Sequence, residues 1–408
     1  MKIYLDNSAS TRVSPEAAKA AYLAMTENYA NPSALHVAGQ EAERLTKQAR
    51  HQLAFALGAK PSSIVFTSGG TESVNLALFS AFYSGEPDKA ALLVSAVEHP
   101  AVLSAAGALK DRGVRVAEVA VHGTDTEWPG MADVSELRAM LKDDVNLVSI
   151  MHVNNETGTI NPIDELSRIV SLYNAEKGAN IRFHVDAVQS FGKLAIDVVN
   201  GDFKDIDYIS VSSHKLHGPK GAGALYAAAP AKLHPMIFGG GQEGGVRSGT
   251  ENVPAIAGFG AAARAASQDI VGHAKQANAC RRRLLEGIRE EIKDILVNSP
   301  EDATVTGKPG CCSPYILNIS FLGTRGEVLL HELEKSGIFV STGAACASLG
   351  KDGPKASDTL AAIGLKKEYA EGALRFSFSW INKPDEMDFV VSRLKEAVAR
   401  YRRVGSYR

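Results

Sequence analysis

Seven short apolar runs, separated by amphipathic helical stretches, occupy the first part of the chain. The runs lie at residues 63–67, 91–95, 114–119, 147–152, 181–185, 208–211 and 222–226. Strands that alternate with helices are typical of a mostly parallel sheet covered by helices on both faces. The sequence therefore predicts an α/β fold in this part of the chain.

The pattern changes near residue 253, where a smaller α+β domain is predicted to begin. The elements expected there are a long helical region, three apolar runs and a closing helix, at residues 254–295, 316–320, 339–341, 374–379 and 384–403. A chain of 408 residues is long enough for two domains with well-formed cores. We expect a large domain over residues 15–255 and a small domain formed by residues 1–14 and 256–408.

Composition narrows the class of protein. A net charge of −2 gives no electrostatic reason to expect binding to nucleic acid or to a membrane surface. No apolar run approaches ~20 residues, and the N-terminus lacks an apolar signal core. Four cysteines without CxxC spacing favour neither a disulfide scaffold nor a metal site. We expect a soluble cytoplasmic protein without a bound metal.

Lys215 is the first candidate for chemistry. It follows the run at 208–211, is preceded by Ser212 and His214, and stands before a Gly/Pro turn. An amine at a strand end, beside hydroxyl and imidazole groups, is well placed to be a nucleophile. Pyridoxal 5'-phosphate is the natural partner of such a lysine, because enzymes hold it as a Schiff base with an acidic group at the pyridinium nitrogen.

Residues 68–73 (SGGTES) follow the run at 63–67 and open a helical stretch at 74–82. Free N–H groups and the helix dipole favour an anion at such a position, and glycines let the backbone approach it. The segment is therefore either a phosphate cradle or a simple N-cap turn.

Asp186 and His99 stand at the ends of two other predicted strands. Ligands of open α/β sheets gather at the carboxyl ends of the strands. A buried Asp186 would keep a pyridinium nitrogen protonated, or it caps a strand–helix junction. His99 is either structural or stacked on a planar cofactor.

Asn155 and Arg375 are candidate ligands for a substrate carboxylate. Asn155 follows the run at 147–152, and an Asx-turn is the competing interpretation. Arg375 lies on an alternating strand, where it is either a surface residue or a bidentate clamp.

The richest glycine segment spans residues 238–250 (FGGGQEGGVRSGT). Its sequence matches the GxGxxG pattern of dinucleotide-binding sites. No βαβ unit with a following acidic residue surrounds it, however, which excludes such a site. Phosphate contact or a subunit boundary suits it better. The basic C-terminal tail is either a solvated helix end or, as the minor alternative, a docking site for a protein or RNA partner.

Cys346 differs from the other cysteines, which are Cys280, Cys311 and Cys312. It lies among small residues beside a polar loop, where Lys351 and Lys355 would favour its thiolate. Most cysteines are buried and inert. We expect Cys280 to lie in the core or on a helix surface, and we assign no chemistry to Cys311 and Cys312.

Taken together, these segments resemble the cysteine desulfurases, fold-type I pyridoxal-phosphate enzymes of the class V aminotransferase group. The likeness runs almost end to end, from residues 4–9 (YLDNSA) to the closing helix. The alanine-rich cysteine motif is similar to the branch with the nitrogen-fixation and general iron–sulfur desulfurases. Residues 325–331 (RGEVLLH) are similar to desulfurases that supply tRNA thiolation. The resemblance implies a PLP-dependent transferase with a seven-stranded, mostly parallel sheet, acting as a homodimer.

The resemblance also implies roles at matching positions. The implied cofactor ligands are Gly70, Thr71, His99, Asp186, Gln189, Ser212, His214, Lys215 and Thr250 of the partner subunit. Asn155 and Arg375 would bind the substrate, and Lys215, His99 and Cys346 would be catalytic.

The implied reaction removes sulfur from L-cysteine, releases L-alanine and leaves a persulfide on Cys346 for a cluster scaffold or a tRNA-thiolation enzyme. The alternatives are a selenocysteine lyase, a class V aminotransferase and a PLP-fold scaffold protein without activity. The chain departs from the family's usual sequence at Gly70, where alanine is commoner. It also has TGAAC at residues 342–346, where SGSAC is commoner.

Overall fold

The computed structural model describes residues 2–84, 86–304, 306–308, 311–342 and 357–405. Its strands are β1 (Ile3–Tyr4), β2 (Ile64–Thr67), β3 (Ala91–Ser95), β4 (Arg115–Val119), β5 (Val145–Ser149), β6 (Arg182–Asp186), β7 (Tyr208–Ser212), β8 (Gly223–Ala227), β9 (Ile295–Val297), β10 (Ile316–Phe321), β11 (Ile338–Phe339) and β12 (Ala373–Ser377). Its α-helices are α1 (Pro15–Thr26), α2 (Val37–Ala56), α3 (Gly70–Ala81), α4 (Pro100–Lys110), α5 (Val134–Met140), α6 (Ile163–Lys177), α7 (Val253–Gln268), α8 (Ile270–Glu291), α9 (Gly326–Lys335), α10 (Asp358–Ala362), α11 (Lys367–Ala370) and α12 (Glu386–Gly405).

The predicted parallel sheet is confirmed, with seven strands in the order β2-β8-β7-β6-β5-β3-β4. Only β8 runs against its neighbours. The side chains of one strand alternate between two hydrophobic cores, because successive residues point to opposite faces. In β2, Ile64 and Phe66 pack into one core and Val65 into the other. Both faces are therefore covered, as the continuous apolar runs predict.

The sheet brings several chain segments to one edge. Because β8 is antiparallel to both β2 and β7, the latter two run in the same direction. Thr67 and Ser212 both pair with Gly223, so the ends of β2 and β7 lie side by side. A Cβ on Gly223 would stand 2.5 Å from the backbone carbon of Gly69, so only glycine allows this approach. The predicted phosphate segment is thereby placed next to the segment that carries Lys215.

A second sheet, in the order β12-β10-β9, is antiparallel and has its own hydrophobic core with α8, α9 and α12. The predicted helical region over 254–295 consists of two helices, because Asp269 separates α7 from α8 and caps α8 through Gly272 N–H. Helix α7 packs on α1 and α2, whereas α8 packs on α12. The division into a large and a small domain at residue 255 stays a prediction.

The N-terminal segment contacts elements of both sheets. β1 pairs in parallel with β11, and Leu5 and Asn7 bond to the backbone of Ser377 on β12. Thr11 N–H then donates to the His214 carbonyl just beyond β7. Among the described helices, none has the length and apolar character to cross a bilayer.

Candidate active site

A cavity of about 190 Å³ lies at the carboxyl ends of the parallel strands. Ten of the twelve predicted site residues line it: Gly70, Thr71, His99, Asn155, Asp186, Gln189, Ser212, His214, Lys215 and Arg375. Thr250 is exposed and does not line the cavity of its own chain. Cys346 lies outside the described residues. Segments far apart in sequence thus meet where the sheet topology places the strand ends.

Lys215 follows β7 on a single 3₁₀ turn and reaches the N-terminal segment. Its Nζ donates to the carbonyl oxygens of Ser8 and Ala9, each at 2.7 Å. The amine is therefore held at the cavity wall by backbone acceptors from the start of the chain. Neither Ser8 nor Ala9 was predicted as a site residue from sequence.

Asp186 ends β6, and its Oδ1 accepts the Val188 N–H at 2.9 Å. Burial raises the pKa of Asp186, and the neighbouring His99 and Lys215 oppose that rise. Both interpretations from sequence are compatible with this geometry, since one carboxylate oxygen caps the turn and the carboxyl group also lines the cavity.

His99 is the N-cap of α4, and its Nδ1 accepts the Ala101 N–H at 3.1 Å. A ring nitrogen that accepts cannot carry the proton, so the neutral ring bears it on Nε2. Burial lowers the pKa of His99, which keeps this neutral form near pH 7. The histidine is thus both structural and part of the cavity wall.

The phosphate segment forms the start of α3 at the same edge. The first N–H groups of a helix have no intrahelical partner and favour an anion. A Cβ on Gly70 would lie 2.8 Å from Val188 Cγ2. The departure from the commoner alanine therefore has a physical reason, because Val188 occupies that space.

His214 also faces this end of the cavity. Burial and the positive charges of nearby lysines, Lys215 first among them, lower its pKa to about 4. Its neutral ring places Nδ1 3.3 Å from the Ser10 hydroxyl. At pH 7 the histidine is available as a neutral hydrogen-bonding group beside Ser212.

Arg375 is buried at 5% exposure, which excludes the surface interpretation. Its Nη1 donates to the Asn155 carbonyl at 3.0 Å and its Nη2 to Asp6 Oδ1 at 2.9 Å. Its Nε is buried and has no hydrogen-bond partner among the described residues. Because Arg375 also lines the cavity, its guanidinium is a candidate group to bind a carboxylate there.

The class-V aminotransferase family model matches residues 3–390. The chain belongs to this family. A cysteine desulfurase of Trichormus azollae is 38% identical over 406 residues, covering 100% of this chain and 95% of the relative. A solved NifS-like protein is 34% identical, with a TM-score of 0.86 over 98% of this chain and 100% of that one. SspA, solved in complex with cysteine, is 33% identical, with a TM-score of 0.76 over 92% of this chain and 99% of that one.

The relatives place the chain among the cysteine desulfurases within that family, which confirms the resemblance in the sequence and the enzyme class. The class-V fold is confirmed as well. The roles of individual site residues stay predictions.

The loop after β5 uses its two asparagines differently. Asn154 Oδ1 accepts the N–H groups of Glu156 and Thr157, at 2.8 and 2.9 Å. Asn154 Nδ2 donates to the Val97 carbonyl at 3.1 Å. Asn154 therefore forms the Asx-turn and leaves Asn155 to line this desulfurase-family cavity. Two adjacent asparagines after a strand were the only sequence signal for it.

Glu156 connects the cavity wall to the chain beyond the predicted cysteine loop. The Ser357 hydroxyl donates to its Oε2 at 2.5 Å, and Ser357 is the N-cap of α10. On the other side of that loop, Ser341 exchanges two backbone hydrogen bonds with Arg375. The described residues Ser341 and Ser357, which flank positions 343–356, thus contact residues of the cavity wall.

Glu98 is a buried acid that sequence analysis did not single out. Its Oε1 accepts the Ser95 hydroxyl at 2.6 Å and the Met151 N–H at 2.7 Å. Burial raises the pKa of Glu98 to about 8, so the carboxyl is largely protonated at pH 7. It joins the end of β3 to the loop after β5, directly before His99.

The other cysteines lie away from the cavity. Cys280 is fully buried on α8, as expected for a core position. Cys312 is buried, and its Sγ donates to the carbonyl oxygens of Thr157 and Ile316. Cys311 is half-buried, and burial raises the pKa of its thiol.

The glycine-rich segment is attached to the phosphate end of the site. Arg247 Nε donates to Glu72 Oε1 on α3 at 2.9 Å. Glu243 accepts two bonds from Arg50 and one from the Phe66 N–H. These bonds hold the segment that carries Thr250 against the edge of the sheet, and its contact with phosphate or a partner subunit stays a prediction.

Proposed function

We propose that this protein is a pyridoxal-phosphate-dependent cysteine desulfurase that converts L-cysteine to L-alanine. The Cys346 thiolate attacks the substrate sulfur, the substrate C–S bond breaks, and Cys346 carries the persulfide. The electron pair of the C–S bond stays with the carbon, which takes a proton and becomes the alanine methyl group. The sulfur leaves without that pair and becomes the outer sulfur of the persulfide, so no external oxidant or reductant is needed. The observation that carries the proposal is the convergence of Lys215, Asp186 and Arg375 in one cavity.

The residues present fit the cofactor. A helix N-terminus beside the Ser212 hydroxyl suits a phosphate, the Asp186 carboxyl suits a pyridinium nitrogen, and Lys215 supplies an amine. Gly70 leaves room where a larger residue would meet Val188. When bound, the cofactor ring accepts electron density from the substrate Cα, which makes loss of the Cα proton feasible.

The chain's own groups would then bind and move protons. Arg375 and Asn155 would orient the substrate carboxylate, because both line the cavity and a guanidinium forms strong, charge-assisted hydrogen bonds to a carboxylate. Lys215 Nζ would take the Cα proton, and His99, with its own proton at Nε2, would help to hold the cofactor ring and to move protons. Gln189, Thr71 and His214 hold the remaining polar atoms of the cofactor.

The relatives and the exposed surface support a homodimer. Large hydrophobic side chains on α1, α2, the intervening loop and the glycine-rich segment are exposed, among them Tyr22, Tyr29, Leu35, Phe55 and Phe238. Exposed apolar surface of this kind is typical of an interaction site. Because Thr250 is exposed, we propose that Thr250 of the partner subunit completes the phosphate site.

The cellular location of the enzyme and the protein that accepts its sulfur belong to the same proposal. We propose a cytoplasmic protein that passes its sulfur to a scaffold for iron–sulfur clusters or to a tRNA-thiolation enzyme. Transfer to such an acceptor requires that the Cys346 persulfide meet both the substrate and a second protein.

The deciding experiment incubates purified protein with L-cysteine and a reductant and measures alanine and sulfide. Cys346→Ala is expected to lower sulfide release at least tenfold, because it removes the thiol that accepts the sulfur. Cys311→Ser is the matched control, since that half-buried cysteine lies away from the cavity. Sulfide release by Cys346→Ala comparable to wild type would contradict the persulfide role and favour a selenocysteine lyase. Formation of a keto acid in place of alanine would indicate an aminotransferase.

Replacing Arg375 by lysine is expected to lower kcat/KM for L-cysteine by about 10- to 100-fold, mainly through KM. Lysine keeps the charge but loses the planar fork, and a hydrogen bond to a charged group is worth about 1.5–3 kcal/mol. Arg283→Lys is the control, since Arg283 holds Asp388 with the same fork on the surface. An unchanged KM in Arg375→Lys would exclude carboxylate binding by Arg375.

A further inference from the structure

Lys193 is a buried lysine that the proposed reaction does not use. It lies four residues after Gln189 in the hydrogen-bonded turn that follows β6, where Gly192 has a φ of +70°. Lys193 is 3% exposed and Gln189 5% exposed. Lys193 Nζ donates to Gln189 Oε1 at 3.2 Å.

The Gln189 amide has one orientation that satisfies both of its neighbours. Its Nε2 donates to the Ser8 carbonyl oxygen at 2.9 Å, and that oxygen can only accept. Its Oε1 faces the amine of Lys193, which donates. In the reversed amide, Oε1 would face the Ser8 carbonyl oxygen, which can only accept, and Nε2 would face the Lys193 amine, which donates. One N–H of the amide is used by Ser8, and the other remains for a group bound in the cavity that Gln189 lines.

The same contacts reach the catalytic lysine. The Ser8 carbonyl oxygen that accepts from Gln189 also accepts from Lys215 Nζ at 2.7 Å. A chain of hydrogen bonds therefore runs from Lys193 through Gln189 to the carbonyl that holds Lys215. Hydrogen bonds in such a chain polarise one another and act as a unit.

Keeping an amine at this position is costly. Burial, together with the positive charges of Lys215 and Arg375, lowers the pKa of Lys193 to about 7. The Tyr315 ring lies beside it, with the ring centroid 5.7 Å from Nζ. The positive charge of Lys193 also contributes to lowering the pKa values of His214 and His217. An apolar side chain of the same length would avoid the desolvation of the amine. A buried amine at this position is therefore explained by the hydrogen bond that it donates to Gln189, which a methionine could not donate.

We propose that Lys193 is a positioning residue that fixes the orientation of the Gln189 amide, so that the N–H not used by Ser8 is available to the cofactor site. It acts through Gln189 and does not itself touch the cofactor or the substrate. The inference rests on the proposed function for the identity of the group that Gln189 contacts.

A double-mutant cycle tests the link. Cofactor-free wild type, Lys193→Met, Gln189→Leu and the double variant are titrated with pyridoxal 5'-phosphate, and Kd is measured from the absorbance of the bound cofactor. Lys193→Met is expected to raise Kd on the order of tenfold, because the amide loses a charge-assisted hydrogen bond. In the Gln189→Leu background, the same change is expected to leave Kd unaltered. A tenfold effect that persists without Gln189, or no effect in the wild-type background, would overturn the proposal.

The pH profile separates positioning from a purely structural role. A charged donor makes the stronger hydrogen bond, so the Kd ratio of Lys193→Met to wild type is expected to be larger at pH 6 than at pH 8.5. A ratio independent of pH would contradict the proposed link. Lys110→Met, an exposed lysine at the end of α4, is the control and should give a ratio near one at both pH values.

Failure of the proposed function gives a different result. If wild type shows no Lys215-dependent absorbance with pyridoxal 5'-phosphate, the cofactor assignment is wrong. The same four proteins then report on Lys193 through their free energies of unfolding without cofactor. Non-additive changes would support the Lys193–Gln189 link, and additive changes would overturn it.

Discussion

Lys215→Ala is expected to lose the absorbance band of the bound cofactor and to turn over L-cysteine roughly 10²–10⁴-fold more slowly, the range for a group that moves protons. Lys215 Nζ is held by the carbonyl oxygens of Ser8 and Ala9, so the amine is already placed at the cavity wall. Alanine removes the amine and leaves the strand β7 intact. Absorbance spectra and alanine production at saturating L-cysteine measure the two effects.

The control for this prediction is Lys232→Ala, which removes an exposed lysine of the same sheet region. It should keep both the absorbance band and the turnover of wild type. A Lys215→Ala protein that retained the wild-type band would show that another group binds the cofactor. A protein that lost the band but kept turnover would exclude a pyridoxal-dependent reaction.

Asp186→Asn is expected to lower turnover by roughly 10²–10⁴-fold while the protein remains folded. The asparagine keeps the Oδ1 acceptor for the Val188 N–H and nearly the same volume, so only the ionisable group is lost. Without a negative charge beside it, a pyridinium nitrogen would release its proton, and the ring would draw less electron density from the substrate. Turnover and thermal unfolding, measured on the same protein, separate chemistry from folding.

Asp197→Asn is the matched control for this substitution. Asp197 also accepts backbone N–H groups through Oδ1, from Val199 and Asn200, but it does not line the cavity. The control is expected to keep wild-type turnover. If Asp186→Asn does so as well, Asp186 is only a capping residue, which is the alternative that the sequence left open.

The strands and the reactive groups at their ends were predictable, because apolar runs and the residue types that follow them are read from neighbouring positions in the sequence. The apolar runs at 181–185 and 208–211 are short and are followed directly by polar residues, so the positions of Asp186, Ser212 and Lys215 at or just after strand ends followed from the sequence. The rules of open parallel sheets then place those ends together. The break between α7 and α8 was missed because the helical pattern continues across Asp269, where a cap and not a Gly or Pro separates the helices.

The residues that support the site could not be predicted, because their partners are distant in sequence. Asp6 meets Arg375 across 369 positions, and Ser8 meets Lys215 across 207. Glu98 and Lys193 resemble ordinary surface charges in the sequence, and burial in the folded chain is the largest cause that moves their pKa values to about 8 and about 7.

The sequence by itself determined the order of strands and helices and the chemical groups that stand at the strand ends, because hydrophobic periodicity and residue type are properties of neighbours along the chain. The tertiary structure decided which of those groups share a cavity, which asparagine faces it, and which titratable side chains are buried. Those outcomes depend on packing between segments hundreds of residues apart, and burial changes the charge of a group without any change in its sequence neighbours.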